Sequence, residues 1–318
     1  MTLHRPWPET AAGDALVSVT PEHAGWEWTG LQVLRIPAGG SVHVETGPSE
    51  AFVLPLRGGV TVAVAQEGQP DASFELAGRA SVFAAVTDFC YVGRDSRITL
   101  SSDQIAEVAI PASRCTQRLE ARYGVAEDVP VEVRGSGQAS RQVTNFGIPG
   151  VWDHAEKIIC CELVTPPGNW SSYPPHKHDR SKPCPIVNEE IYYYRIAGPD
   201  QVTPSRHGVG YHRTYTGPEH AAAGLAPIDE TVEVRDHDVV LIPHGYHGPC
   251  IADPGYPMYY LNVMAGPVDR AIAFCDDPDH GWIRDSWAEQ RVDPRVPVTS
   301  AAGRADGRTP SYDEEASR

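Results

Sequence analysis

The stretch "YPPHKHD" sets His176 and His178 two residues apart in a chain of 318 residues with only 13 histidines. Side chains alternate along an extended strand, so both imidazoles leave one face and Lys177 leaves the other. Two nitrogens on one face are half of a metal site. The following segment, "DRSKPCPIVN", carries two prolines and reads as a loop returning to a strand that opens on Glu189-Glu190. Glu190 shares its face with Tyr192 and Tyr194, while Tyr193 sits on the other. A third histidine, His247, closes Pro243-x-Gly245-x-His247 after the apolar run "DVVLIP". His176, His178, Glu190 and His247 offer three imidazoles and a carboxylate, a set that suits Zn, Mn, Fe or Ni with one or two positions open to substrate. An isolated pair of this kind is more often two ordinary surface histidines. Here the three motifs come in the order that a small β-barrel needs to bring them together at its mouth. His154, His207, His212, His220, His237 and His280 read as surface or loop residues.

The elements that must position these groups are strands. The 29 glycines and 29 prolines punctuate the sequence around short Val-, Ile- and Tyr-rich runs. In the first part these are "GLQVLRI", "GSVHVET", "EAFVLPLRGG", "VTVAVAQ", "ASFELAG", "ASVFAAV", "FCYVG" and "RITLSS". Residues 112–128 form the one stretch that reads as helical or irregular, and "RGSGQAS" (134–140) has the composition of a linker. A second set follows: "EKIICCELV", "EEIYYYRIAG", "GYHRTYT", "ETVEVRD", "DVVLIP" and "PMYYLNVMAG". Residues 36–59 and 165–198 share a Pro-then-Gly turn, a His-bearing strand, a Glu and a strand ending at Gly, which suggests an internal duplication. His43 and Glu50 are what remains of a ligand set in the first copy. The expected fold is all-β, with two tandem barrels over about 1–130 and 140–275. A C-terminal extension over 276–318 ends in a tail, "AAGRADGRTPSYDEEASR", expected to be mobile or draped on a partner subunit.

A formal charge of −16 without a basic cluster argues against nucleic acid and anionic membrane surfaces as partners. No run approaches the ~18 apolar residues of a membrane span, and the first residues do not resemble a secretion signal, so we expect a cytoplasmic protein. Seven cysteines without regular spacing read as reduced, mostly buried thiols. No Gly-rich phosphate loop opens a helix, so no organic cofactor is expected.

"PPHKHD…EEIYYYR" followed by "DVVLIPHGYH" resembles the paired motifs of cupin barrels. More narrowly, "GNWSSYPPHKHD", "EEIYYYR", "IPHGYH", "MYYLNVMAGP" and "DPDHGWI" are similar to the 5-deoxy-glucuronate isomerase family of myo-inositol breakdown. The likeness is dense over 156–283 and general over 1–130, where the family has a degenerate first cupin. It implies a bicupin that assembles with copies of itself and converts 5-deoxy-glucuronate to 2-deoxy-5-keto-gluconate, an aldose–ketose step. Related uronate isomerases hold zinc on three His and one Glu, which would be His176, His178, Glu190 and His247. Two departures stand out. Tyr194 occupies a position where the family usually shows histidine, and "GYHGPCIADPGYP" differs from the shorter family loop.

Moving a carbonyl from C1 to C2 requires a proton taken from carbon beside an aldehyde, and stabilisation of the charge that develops. Glu190 is committed as a ligand and Glu189 points away. Tyr192, Tyr194, Tyr260 or a metal-bound hydroxide remain as the proton-transfer group, with a hydride shift as the alternative. The substrate is a sugar-acid anion, and Arg213 and Arg270 are candidate anchors for its carboxylate. Lys177, one of only three lysines among 26 basic residues, is a further candidate because it stands between two ligands. Asn262, on "MYYLNVMAG", completes the expected substrate-binding set. The same ligands could hold Fe(II) in a dioxygenase, and a non-catalytic sugar-binding bicupin is the reading from a different class.

Overall fold

The strand Ser49–Gln66, 18 residues long, organises the first part of the chain. Its first half pairs with Phe89–Val92 and Ala106–Arg114, and its second half with Ala72–Arg79 and Ser96–Ser102. Sequence reading splits this strand in two at "RGG", and the structure shows why. Gly58 has φ of +75°, and a Cβ there would sit 2.9 Å from Ile105 O. The strand turns a barrel corner at this point, which only a residue without a side chain permits. Thr29–Ile36 and Ala15–Val19 extend the sheet, and Gly40–Glu45 pairs with Ser96–Ser102. One expected strand is absent: "ASVFAAV" forms a turn whose Val82 and Phe83 are buried, so its apolar residues mark core contact without extended pairing. These coordinates are a computed structural model describing residues 2–184 and 186–312.

The second part is built from two facing sheets. One runs His4–Arg5, Val239–Ile242, Glu189–Ile196, Met258–Ala265, Ile159–Thr165, Arg141–Gly147 and Val131–Arg134. The other runs Asp229–Val234, Gly210–Tyr215, Tyr246–Ala252, His176–Lys177 and Cys275–Asp276. They enclose Tyr192, Tyr194, Tyr260, Leu163, Cys250 and Met258. The segment expected to be a linker, 134–140, instead joins two antiparallel strands of the first of these sheets. The chain termini cross over: His4–Arg5 pairs with Val239–Val240, and residues up to 312 return to the first barrel. There Arg304 Nη1 donates to Phe83 O and the Tyr312 hydroxyl donates to Ala80 O. The expected loose tail is therefore anchored on its own chain through Tyr312, and 313–318 lie outside the described residues. No helix is long and apolar enough to cross a membrane.

The two parts share one core. Cys160, Val164, Ile191, Tyr193, Tyr259, Leu261 and Val263, on the outer face of the sheet holding Glu189–Ile196, pack with Val17, Leu31, Val33, Phe52 and Leu54 of the first part. That sheet is buried on both faces, which explains why "IICCELV", "IYYYRI" and "MYYLNVMA" are almost continuously apolar. Two carboxylates cross the seam in opposite directions, Glu50 fully buried and Glu189 half-buried. Glu50 accepts from the backbone N–H groups of Glu156 (2.9 Å), Lys157 and Ile158 (2.8 Å), and from the Tyr91 hydroxyl (2.7 Å). Glu189 accepts from the N–H groups of Glu27 (2.8 Å), Trp28 (2.8 Å) and Thr29 (3.2 Å).

This reciprocity aligns the two copies residue for residue. Glu50 is the counterpart of Glu189, so Ala51 stands where the second copy has Glu190. The reading of Glu50 as a remnant ligand gives way to that of a structural latch. His43 lies on Gly40–Glu45, which pairs with Ser96–Ser102, with Nδ1 3.0 Å from Thr99 Oγ1.

Removing either latch carboxylate strands several backbone donors. Glu50→Ala and Glu189→Ala are each expected to lower stability by about 3 kcal/mol or more, and the corresponding Gln variants by less. Urea unfolding monitored by circular dichroism checks this, and an unchanged midpoint for both Ala variants would refute the latch.

Candidate metal centre

The two-residue strand His176–Lys177 is held between the strands carrying His247 and Asp276, with His176 directly opposite His247. Ser172, in the left-handed region at φ +48°, bends the chain toward Gly248. A Cβ on Gly248, whose φ is +101°, would come within 1.9 Å of Ser172 O. The glycine after His247 therefore lets the two ligand-bearing segments touch. On the facing sheet Glu190 pairs with Ile242 and Met264, and its side chain enters the barrel as the alternation requires.

His178, Glu190 and His247 are all buried and place ligand atoms within 4.8 Å of one another. Glu190 Oε2 is 3.0 Å from His178 Nε2 and 3.1 Å from His247 Nε2. His176 packs on His247 with ring centroids 4.5 Å apart, and on His178 at 6.4 Å, outside that three-atom set. All three rings are oriented alike. Nδ1 lies 3.4 Å from Pro174 O in His176, 3.1 Å from Asn188 O in His178 and 3.2 Å from Gly245 O in His247. A carbonyl only accepts, so each Nδ1 carries a proton, and in the neutral imidazole each Nε2 presents its lone pair. His247 Nε2 is buried with no hydrogen-bond partner. Nε2 lone pairs and a carboxylate facing one another without a donor are what a cation resolves, so these residues fit a divalent metal.

The three groups are electrostatically coupled. Burial opposes the charge of Glu190, yet hydrogen bonds and charge from His178 and His247 outweigh it and hold the carboxyl well below the usual range, and Glu190 in turn raises His178 against its burial. Burial, reinforced by its two neighbouring imidazoles, pushes His176 far down, so it stays neutral. Burial, with the nearby Glu190 charge, raises Tyr192 well above the ordinary phenol value.

The centre opens into a cleft of about 710 Å³, its solvent mouth included, lined on one side by His176, His178, Glu190, Tyr192 and Asn262. Of the three tyrosines expected to move a proton, only Tyr192 lines it. Its hydroxyl is 3.1 Å from Ser172 Oγ, which is 3.1 Å from the Tyr260 hydroxyl, and Tyr260 donates onward to Ser171 Oγ at 3.0 Å. Tyr194 points deeper, toward His212 Nδ1 at 2.5 Å. Asn262, paired with Tyr192 on one side and Cys161 on the other, has a buried Nδ2 without a partner.

The expected cations lie elsewhere. Lys177 is fully buried on the far face and donates to Ser181 O at 2.7 Å. Arg270 donates to the carbonyls of Ile158, Trp152 and Gly147. Arg213 pairs with Asp229 at 3.0 Å beside a separate groove. The cleft's arginines are instead Arg134, Arg141 and Arg284. Nothing in the sequence marks them: Arg134 opens the linker-like stretch 134–140 and Arg284 lies outside the strand-like runs, although "RQVTNFG" places Arg141, Val143 and Asn145 on one face. Three histidines taken as surface residues are buried. His212 bonds Tyr194, His220 lies 3.1 Å from Asp179 Oδ2, and His237 Nδ1 lies 2.8 Å from the Tyr193 hydroxyl. Burial brings His212 down to about 3, so it is a neutral core residue.

His178→Ala and His247→Ala are each expected to lose bound metal after dialysis against zinc while keeping the β-sheet circular dichroism signal, because the surrounding core is apolar. Atomic emission of the dialysed protein measures this, and full stoichiometry in either variant removes that residue from the ligand set.

The chain matches the KduI/IolB family over residues 3–283. It is 38% identical over 273 residues to a protein of Geobacillus kaustophilus named 5-deoxy-glucuronate isomerase, covering 85% of this chain and 91% of the relative. Among solved structures, an IolB-like protein of Salmonella typhimurium superposes with a TM-score of 0.76 at 29% identity, over 89% of this chain and 99% of the other. An oxalate decarboxylase of Bacillus subtilis superposes with a TM-score of 0.59 at 11% identity, over 86% of this chain and 79% of the other, a likeness of fold alone. The all-β bicupin expected from the motifs is the architecture observed. With the fold, the convergent ligands and these relatives in agreement, the chain belongs to the KduI/IolB family and is an isomerase.

Proposed function

We propose that the protein converts 5-deoxy-D-glucuronate to 5-dehydro-2-deoxy-D-gluconate, using a divalent metal held by His176, His178, Glu190 and His247. The carrying observation is the buried set of imidazole lone pairs and a carboxylate at the head of an arginine-bearing cleft, in a chain whose relatives bear that isomerase name. Zinc is the first expectation for a three-His, one-Glu set, with Mn, Fe or Ni as alternatives. When bound, the metal would supply a Lewis acid for the oxygens at C1 and C2.

The chain's own groups do the rest. Tyr192 faces the cleft in its protonated form and donates to the substrate oxygen that develops charge. Ser172 and Tyr260 continue its hydroxyl chain inward and can return the proton. Tyr194, turned toward His212, positions the aromatic wall behind Tyr192, with which it stacks at 6.2 Å. Asn262 offers its unpartnered Nδ2 to a substrate hydroxyl. All seven cysteines carry free thiols, which supports action in a reducing cytoplasm.

Metal-loaded protein is expected to isomerise 5-deoxy-glucuronate reversibly without oxygen, and Tyr192→Phe to lower kcat about 100-fold with a smaller change in KM. In heavy water, proton transfer through an exchangeable group places deuterium on the product's hydroxymethyl carbon, C6, which is C1 of the substrate, whereas a hydride shift leaves none. A protein inert toward the sugar acid anaerobically but oxygen-consuming with another substrate belongs instead to the dioxygenase class.

A further inference from the structure

Of the three arginines in the cleft, two already have anions. Arg134 Nη2 lies 2.7 Å from Glu132 Oε2, and Arg284 holds Asp276 through Nε and through Nη2 at 2.8 Å. Arg141 differs. It is 3% exposed, its Nη1 donates to Ala139 O at 3.0 Å, its Nε has no hydrogen-bond partner, and no carboxylate reaches it among the described residues. Burial, with the like charges of Arg134 and Arg284, brings its pKa down to about 10 against the pull of Glu132, and it remains charged at neutral pH. A buried guanidinium with no carboxylate paired to it is costly, so the fold keeps in place a donor whose acceptor must come from outside.

The packing holds it firmly. Gly135 makes room for it, since a Cβ there would meet Arg141 Nη1 at 2.8 Å and Ala139 O at 2.2 Å. A ladder of ring contacts runs along the cleft wall from the histidines to this residue. His176 packs on Phe274 at 5.0 Å, and Arg284 lies 4.9 Å over Phe274 and 5.2 Å over Trp287. Arg141 then lies 5.6 Å over Trp287. The cleft thus carries the metal ligands at one end and an unsatisfied cation at the other, and a short sugar acid has the matching polarity. We propose that Arg141 is the anchor for the substrate's carboxylate, setting which end of the sugar meets the metal ligands. The identity of that acid rests on the isomerase reading above; the carboxylate selectivity does not.

Titration calorimetry with D-glucuronate and its uncharged amide, D-glucuronamide, tests the assignment. Arg141→Gln is expected to reduce the preference for glucuronate by about 10- to 100-fold with amide binding unchanged, as for loss of a charge-assisted pair. Arg141→Lys should recover part of it. Equal losses for both probes, or none, reduce Arg141 to a packing residue and overturn the proposal. A readout independent of any variant's folding is the wild-type Arg141 Nε–H resonance, which should shift on adding glucuronate and stay with the amide; no shift also overturns it. Should the wild type fail to isomerise 5-deoxy-glucuronate yet show this selectivity, the reaction assigned above falls and the carboxylate anchor stands.

Discussion

Two carboxylates, the buried Glu50 and the half-buried Glu189, hold this molecule together across its internal seam. Each receives three consecutive backbone N–H groups from the other half of the chain, donors that no strand partner satisfies. The arrangement fixes the register of one half against the other and lets the sheet carrying Glu189–Ile196 be buried on both faces. It also reaches the metal centre through a single peptide bond. Glu189 points across the seam and Glu190 into the barrel, so the residue that secures the interface positions its neighbour in the candidate metal centre.

The duplicated halves have diverged along this same axis. In the first, the latch remains and Ala51 replaces the inward carboxylate, leaving Val53, Val60, Val62, Ile98 and Leu100 as a dry core. In the second, polar groups line the equivalent space, and such groups are tolerated in a barrel only where each finds a partner. Most do: the Nδ1 atoms of three histidines meet carbonyls, and Tyr192, Tyr260 and the two serines bond one another. Exceptions among the described residues of this half are His247 Nε2, Asn262 Nδ2, Arg141 Nε, Glu219 Oε1 and Trp287 Nε1. The first three belong to residues of the centre or its cleft, where a bound group can meet them.

The electrostatics are correspondingly local. A chain with net charge −16 repels anions at long range, yet its cleft carries three arginines. Two are neutralised by Glu132 and Asp276 and shape the wall, which leaves one cation to act. Screening by water and salt damps the distant acidic surface, while a charge inside a cleft is damped far less, so recognition of an anion is decided by the nearest group.

The convergence of His178, Glu190 and His247, with His176 beside them, was legible in the sequence because its logic is local. Alternation puts His176 and His178 on one face and Lys177 on the other, it turns Glu190 and Tyr192 inward, and the Pro-Gly turn before His247 ends an apolar strand at the barrel mouth. Asn262 follows from the same periodicity. The anchor for the anion was not legible. Arg141, Arg213 and Arg270 are equally arginines on or after strands, and only packing shows that Asp229 pairs with one, three carbonyls occupy another, and no carboxylate among the described residues pairs with the third. Likewise His212, His220 and His237 read as surface residues because burial on a given face depends on what a second sheet lays over it. Glu50 read as a vestigial ligand because its backbone partners lie more than a hundred residues away. Strand periodicity fixes the direction in which a side chain leaves the backbone, whereas the group it meets is decided when distant segments close the barrels.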